Sequence, residues 1–395
     1  MDVTLWLAAV LWIATAVWVG RIAVVWGVDR RGRWSLAPGD APSPNADAPL
    51  VSVLIPARDE EESIGPCLAT VRSQDHRRLE IVVIDDGSRD ATVEVARRAA
   101  EGDERVTIVS APPPPPGWMG KSAALWTAQA RVGGEWLLFL DADVRLHPRA
   151  LSVALHAARR DQADMISWLG RLRMESFWER TIMPVMADLI ARWAPVWRVN
   201  LSRSGACLAN GQFILFRREA YDAIGGHGAV RGEVAEDVAL CRRVKRGSAA
   251  GRSLRYHLYR AERLMEVRMY RSLRSIWLGF AKNAYAGLVS PARTVGAVVV
   301  IAVLDVLPWG IAATGWMGAG AAWPPAVAAV AATLVHRAAT SRRGFAMTPY
   351  ALLHPLGALV AAGILVDSTL RGLGWREPAA WKGRPVGGLE GDRRI

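Results

Sequence analysis

The sequence predicts an α/β domain, a mostly parallel sheet between helices, carried by transmembrane helices at its N-terminal and C-terminal ends. Short apolar runs alternate with helix-period segments between residues 51 and 140, several of those runs end in acidic residues, and long uncharged stretches occupy both ends of the chain. Alternating strands and helices imply parallel strands joined by crossovers. The 395 residues allow about two or three folding units. A hydrophobic content of 51% and a mean hydropathy of +0.14 argue against a wholly soluble protein.

Val3 to Gly20 carries no charge and continues beyond Arg21 as IAVVWGV to the basic run Asp29-Arg30-Arg31-Gly32-Arg33. A retained anchor is the expectation, because a secretory signal would begin with a basic region and carry a shorter apolar core. Arg21 would cost ~3 kcal/mol at the bilayer centre, but near the inner end of the span its head reaches the headgroups. Leu36 to Pro49 holds four prolines and reads as a linker. Val51 to Ile55 is then a buried strand, and residues 63 to 74 put Ile64, Cys67, Leu68 and Val71 on one helical face. Ile81–Ile84, Val106–Val109 and Trp136–Leu140 read as strands, with helices over Val93–Ala100 and Lys121–Ala130.

Residues 171 to 199 spread Phe177, Trp178, Ile182, Met183, Met186, Leu189, Ile190, Trp193 and Trp197 among charges. Two readings stay open: an amphipathic helix at the membrane or lining an acceptor tunnel, or a helix packed on the sheet. Residues 271–293 are expected as an interfacial helix. Thr294 to Val335 holds one acid, Asp305, and breaks at GWMGAGAAWPP, which reads as two helices; Ala346 to Val366, interrupted at His354-Pro355, is a third. The expected division is an anchor with its basic flank over 1–35, a linker over 36–49, a cytoplasmic domain over 50–270, the interfacial helix, a membrane region of two or three spans over 294–370, and a tail over 371–395.

The formal charge is +12, from 49 Lys and Arg against 37 Asp and Glu. It is concentrated in residues 242 to 274, where Arg242, Arg243, Lys245, Arg246, Arg252, Arg255, Arg260, Arg263, Arg268, Arg271 and Arg274 face only Glu262 and Glu266. Ahead of an apolar region, such a stretch is expected to lie inside the cell against anionic lipid. No nucleic-acid-binding signature accompanies it, so a nucleic-acid partner is not expected. The tail fits less well: three full C-terminal spans would put Arg371, Arg376, Lys382, Arg384, Arg393 and Arg394 outside, so one span is expected to be re-entrant or the count to differ. Cys67, Cys207 and Cys241 lack disulfide or zinc spacing, and packing is their default role.

Ligands of parallel sheets bind beyond the carboxyl ends of the strands. Here those positions are Arg58-Asp59-Glu60, Asp85-Asp86-Gly87-Ser88 and Asp141-Ala142-Asp143. A rim that gathers carboxylates from three strands suits a divalent metal, with other acids left to accept hydrogen bonds from a base or a sugar. A lone acid such as Asp90 is explained equally well by a turn or a helix cap.

VSVLIPARDEE, IVVIDDGSRD, LLFLDADV and AEDVAL occur in that order, and together they resemble the family 2 inverting glycosyltransferases, whose domain has the GT-A type nucleotide-diphosphosugar fold. The likeness covers about residues 50 to 290. PPGWMGK, MESFWER, ANGQFILFRREAYDAIGGH and the stretch from RMYRSLRSIW to KNAYAGL are similar to membrane-bound members associated with hopanoid and carotenoid glycosylation.

The resemblance implies that Asp86 meets the base edge of a nucleotide sugar, with Asp59 and Glu60 lining the nucleoside pocket. It places Asp141 and Asp143 in a D-x-D motif that holds Mg or Mn across the diphosphate, and Lys121 near the same diphosphate. Asp237 then matches the general base of an E-D motif, with Glu236 its rival. A carboxylate ~4 Å from a phosphate charge is repelled by ~4 kcal/mol at an effective dielectric near 20, so a cation between them is expected. The Q-x-x-R-W motif of processive synthases is absent; Ser275-Ile276-Trp277 and Lys282-Asn283 stand in its place, which favours single transfer.

The function expected is therefore transfer of a sugar from a nucleotide-diphosphate donor to a membrane lipid of hopanoid, carotenoid or other isoprenoid type, in a bacterial inner membrane. A polysaccharide synthase, a sugar nucleotidyltransferase and an inactive membrane scaffold are the alternatives. A nucleotidyltransferase would carry a Gly-rich loop where PARDEE stands, and retention of all the acids opposes a scaffold.

Overall fold

A computed structural model describes residues 3–30, 34–43, 47–194, 196–201, 203–288, 290–341, 349–377, 380–381 and 384–385. Arg31 and Arg33 of the first basic flank, and Lys382, Arg393 and Arg394 of the tail, lie outside the described residues. The chain forms two compact units: Arg33–Arg173 with Ala194–Met269, and Met1–Gly32 with Met174–Trp193 and Tyr270–Ile395.

The first unit is built on seven strands: β1 Val51–Ala57, β2 Leu79–Asp85, β3 Val106–Ser110, β4 Trp136–Leu140, β5 Met165–Leu169, β6 Phe213–Arg217 and β7 Tyr256–Arg260. Their order is β7-β5-β6-β4-β1-β2-β3, and β6 alone runs against its neighbours. The mostly parallel sheet expected from the alternation is thus what forms. All five residues of β4 are buried, as a strand covered by helices on both faces requires. Helix Ile64–Arg72 buries the face expected of it, Ile64, Cys67, Leu68 and Val71.

The antiparallel direction of β6 has a consequence at the sheet edge. Leu140 pairs with Phe213, so residues 210–212, which precede β6, lie beside Asp141, which follows β4. Residues 36–43 and 47–49 of the proline-rich segment are laid against this unit rather than held away from it. Leu36 is buried and its N–H donates to Arg260 O at 2.8 Å, while Arg149 donates to Ala41 O at 2.5 Å.

The second unit is helical. Val3–Arg30 buries Leu11, Ala14 and Trp18 and leaves Trp6, Trp12 and Ile13 more than half exposed. Three stretches are long and apolar enough to cross a membrane: Val3–Gly27, Pro291–Ser341 and Pro349–Gly372. The middle one is broken near the expected place, with helix Leu307–Ala319 kinked at Gly315 and a 3-10 turn over Gly320–Ala322 before helix Trp323–Ser341. His354-Pro355 does not interrupt the last helix. It opens helix His354–Gly372, with Pro355 in the first turn where its missing N–H costs nothing.

That last helix folds back along helix Pro291–Ile301. Thr369 Oγ1 lies 2.7 Å from Thr294 Oγ1, Trp277 Nε1 donates to Asp367 at 2.9 Å, and at the opposite end His354 Nε2 lies 3.0 Å from Asp305. The end of that helix therefore lies beside Thr294, close to where Pro291 starts, with Arg371 and Arg376 following it.

Helix Phe177–Trp193 belongs to this unit and not to the sheet, which removes one of the two readings of 171–199. It packs tightly on the last helix: a Cβ on Gly357 would lie 2.5 Å from Thr181 O. Residues of 271–293 form helix Leu273–Leu288.

Candidate active site

The carboxyl edge of the sheet gathers several chain segments. Register sets the first three side by side, with Ala57 paired to Asp85 and Asp85 to Ser110. The loops after β1 and β2 are then stitched together. Asp86 N–H donates to Ala57 O at 2.8 Å, Arg58 donates to Asp86 O at 2.6 Å, Asp59 N–H donates to Ser88 Oγ at 3.1 Å, and Glu60 N–H donates to Thr92 Oγ1 at 2.7 Å. Asp59 adopts a left-handed backbone, φ 50°, that a non-glycine residue holds only under constraint. Its Oδ1 accepts from Arg89 N–H at 2.8 Å, so one carboxylate oxygen closes the loop. Asp86 is 8% exposed at the floor of this pair of loops.

Across the edge, Lys121 stands in the first turn of helix Gly120–Gln129. Its Nζ lies 2.7 Å from Asp141 Oδ1, 3.1 Å from Glu236 Oε1 and 3.4 Å from Gly211 O. Burial opposes its charge, but Asp141 and Glu236 outweigh it and hold the ammonium protonated well above the ordinary lysine range. Glu236 and Asp237 open helix Glu236–Arg246, where the helix dipole favours acids. They diverge as adjacent helical residues must. Glu236 turns to Lys121, and although burial pushes its carboxyl up, that ammonium brings it below the usual range. Asp237 accepts from Gly211 N–H at 2.9 Å and from Val238 N–H at 2.8 Å. Burial and the neighbouring Glu236 push its carboxyl up to about 7.

Asp143 keeps a buried carboxylate oxygen two residues beyond Asp141, and Cys67 Sγ packs at 3.7 Å from Asp141 O. Two hard carboxylates suit magnesium or manganese, which are commonly bound by one or two carboxylates plus substrate phosphates. Among the described residues no cluster of three or more His, Cys, Asp or Glu could hold an ion unaided. The donor set fits a metal shared with a diphosphate.

The structure thus brings together Lys121, Asp141, Glu236 and Asp237, and places Asp59, Glu60 and Asp86 in the adjoining loop pair. Sequence reasoning passed over Asn210-Gly211-Gln212 as site residues, although ANGQ stood out in the chain. Asn210 N–H donates to Ser167 Oγ at 2.8 Å, and Gln212 O accepts from Asp141 N–H at 3.1 Å, which fixes this loop between β4 and β5. Gly211 leaves the space that the charged groups share. A Cβ there would lie 3.1 Å from Lys121 Nζ and 3.5 Å from both Asp237 Oδ2 and Glu236 Oε1.

A mostly parallel sheet with an acidic carboxyl edge of this kind defines a GT-A-like α/β fold. Residues 52–225 match Glycosyl transferase family 2. Over 185 residues the chain is 31% identical to an undecaprenyl-phosphate 4-deoxy-4-formamido-L-arabinose transferase of Aeromonas hydrophila, covering 46% of this chain and 52% of that one. It is 35% identical over 113 residues to a 4,4'-diaponeurosporenoate glycosyltransferase of Staphylococcus haemolyticus, covering 28% and 29% of the two. The chain thus spans about half the length of the first relative and less than a third of the second. Among solved structures, a mannosyltransferase of Pyrobaculum calidifontis in complex with GDP-Man and Mn2+ shares the fold, with a TM-score of 0.51, 21% identity, and coverage of 94% of this chain and 100% of that one.

Proposed function

We propose that this protein is an inverting, metal-dependent glycosyltransferase of a bacterial inner membrane, moving one sugar from a nucleotide-diphosphate donor to a membrane lipid of hopanoid, carotenoid or other isoprenoid type. The observation that carries the reading is the convergence of Lys121, Glu236 and Asp237 on Gly211 beside Asp141, at the carboxyl edge of the sheet. The loops of Asp59, Glu60 and Asp86 adjoin it and are the place for the nucleoside.

In this reading Asp86 accepts from the base, and the loop bonds to Ser88 and Thr92 hold Asp59 and Glu60 around the nucleoside. Lys121 brings a fixed positive charge to the diphosphate at the N-terminal turn of its helix, where backbone N–H groups also favour an anion. A divalent ion held by Asp141 and Asp143 would supply charge neutralisation to the departing diphosphate. Asp237 takes the proton of the acceptor hydroxyl as its oxygen attacks the anomeric carbon, and the bond to the nucleoside diphosphate breaks on the opposite face. One displacement inverts that carbon. A carboxyl held near 7 is matched to this task, because a base works best when its pKa lies near the working pH.

The lipid acceptor rests on the apolar helices at both ends and the basic residues of 242–274, with the active-site unit on the cytoplasmic side. The names of the two relatives, an undecaprenyl-phosphate transferase and a diaponeurosporenoate glycosyltransferase, point the same way. Mass spectrometry of lipids from cells with and without the gene tests it. Loss of a species one sugar heavier than its aglycone is the expected result, whereas an unchanged lipid profile with loss of a long polysaccharide would favour a synthase.

A further inference from the structure

The helical unit buries a charge cluster for which glycosyl transfer has no use. Arg21 pairs with Asp188; Arg192 reaches Asp188 at 3.0 Å and Asp305 at 2.5 Å; His354 Nε2 lies 3.0 Å from Asp305, and His336 Nε2 lies 3.6 Å from Asp188. Trp18 sits among them, its ring 5.1 Å from that of His336 and 5.0 Å from the Arg192 guanidinium. Asp305 is held by a turn of π-helix, Ala302–Val306, inserted between two α-helices, a device found frequently at functional sites.

The cluster is not self-sufficient. Three arginines, Arg21, Arg192 and Arg337, face two aspartates, Asp188 and Asp305, which leaves one positive charge even with both imidazoles neutral. Four of its buried nitrogens have no hydrogen-bond partner: Arg21 Nε, His336 Nδ1, Arg337 Nη1 and His354 Nδ1. The side chains of His354, His336 and Arg337 belong to residues only 1%, 2% and 8% exposed, so bulk water does not serve them. Arginine can only donate, and a histidine whose Nε2 faces a carboxylate donates from Nδ1 once charged. The unmet demand is for an anion rich in oxygen. A metal is excluded by the same chemistry, and no metal-holding group exists among the described residues.

Location narrows the source. Arg21, Arg337 and His354 each stand within one of the three stretches long and apolar enough to cross a membrane, where an anion arrives as part of a lipid.

We propose that this cluster binds the phosphate of an anionic membrane lipid, with Arg21, Arg337 and His354 donating to its oxygens. The inference is independent of the transfer reaction, since it uses no residue of the sheet unit.

Native mass spectrometry of the full chain in uncharged detergent tests it, with dioleoyl phosphatidic acid, dioleoyl phosphatidylcholine and inorganic phosphate as probes. One tightly held equivalent of phosphatidic acid is expected, weakened about tenfold or more by R337Q and by H354Q through loss of a charge-assisted hydrogen bond. R371Q, which removes a charge paired with Asp367 elsewhere in the unit, should leave it in place. Displacement of the lipid by millimolar inorganic phosphate in the wild type would assign the same oxyanion site to free phosphate. Equal retention by wild type, R337Q and H354Q would overturn the proposal. So would equal binding of phosphatidic acid and phosphatidylcholine, a comparison that needs only the wild type and decides the matter even where a variant fails to fold.

Discussion

The Lys121 ammonium lies 2.7 Å from Asp141 Oδ1 and 3.1 Å from Glu236 Oε1, so one cation holds together acids from two distant segments of the chain. This lysine neutralises the edge, and on the proposed reading it adds an attraction for the donor's diphosphate that the carboxylates cannot. Lys121→Met should therefore raise the donor KM by about tenfold or more, the scale of a lost charge-assisted contact. The lysine side chain is a third exposed but its partner Glu236 is only 14% exposed, so loss of the cation should lower the melting temperature as well. Steady-state release of nucleoside diphosphate, read beside a thermal melt, separates the two effects. An unchanged KM would remove Lys121 from the donor site.

On the proposed reading Asp141 and Asp143 are the protein ligands of the metal, and among the described residues no group of three or more His, Cys, Asp or Glu could hold an ion by itself. Activity should accordingly collapse in excess chelator and return on adding Mn or Mg, while the apo protein keeps its fold. Asp143→Ala should not be rescued by either ion at millimolar concentration. Full turnover in chelator would make Lys121 alone responsible for the leaving group.

Gly211 offers a sharper separation of folding from chemistry. An alanine there meets the far end of the flexible Lys121 side chain at 3.1 Å, which can give way by a few tenths of an ångström. Restricting the unfolded chain adds about 0.4–1 kcal/mol to stability where the backbone is compatible. Gly211→Ala should then melt at or slightly above the wild-type temperature while kcat falls about tenfold or more, since a methyl group occupies the space between base and lysine. A variant that keeps full kcat would show that the reacting atoms lie elsewhere on the edge.

The parts legible in the sequence were those written in local signals. Alternating apolar runs located β1 to β4 to within two residues at each end, because strands buried on both faces are continuous apolar runs. The acids that follow them came into view because a parallel sheet aims its carboxyl ends at one edge. What the sequence hid was non-local. Strand β6 carries no mark of its direction in FILFR, yet its antiparallel course is what brings Gly211 to Asp141. Helix Phe177–Trp193 has charges and aromatics that suit a sheet or a bilayer equally, and its partner, Gly357, lies far along the chain. Asp305 looked like a lone acid in an apolar run, since nothing local ties it to Arg192 or His354.

The return of helix His354–Gly372 to Thr294 fixes which ends of the helical unit share a side. In the intact membrane, engineered cysteines at Ser290 and Gly374 should label from the same side, and one at Gly320 from the other. On the proposed orientation, which follows the positive-inside rule, the shared side is the cytoplasmic one, and Ser88 should label there as well. Labelling of Gly374 and Gly320 from one side would mean that the last helix crosses after all.

The last prediction concerns Asp237. A general base must be ionised to act, and its carboxyl is pushed up to about 7 by burial and by Glu236. The transfer rate should therefore fall about tenfold per pH unit below 7 and level off above it. Asp237→Asn should abolish that limb and lower the plateau by ~10² to 10⁴. Glu236→Gln removes a negative neighbour, so Asp237 ionises more easily and the limb should move to lower pH without disappearing. Stability carries the opposite sign. A carboxyl whose folded pKa is raised from 3.8 to about 7 contributes stability that is complete below about 4 and is lost as pH rises through 7. The melting temperature of Asp237→Asn, relative to wild type, should thus be higher at pH 8 than at pH 4. A limb that survives in Asp237→Asn and vanishes in Glu236→Gln would move the base to the neighbouring residue.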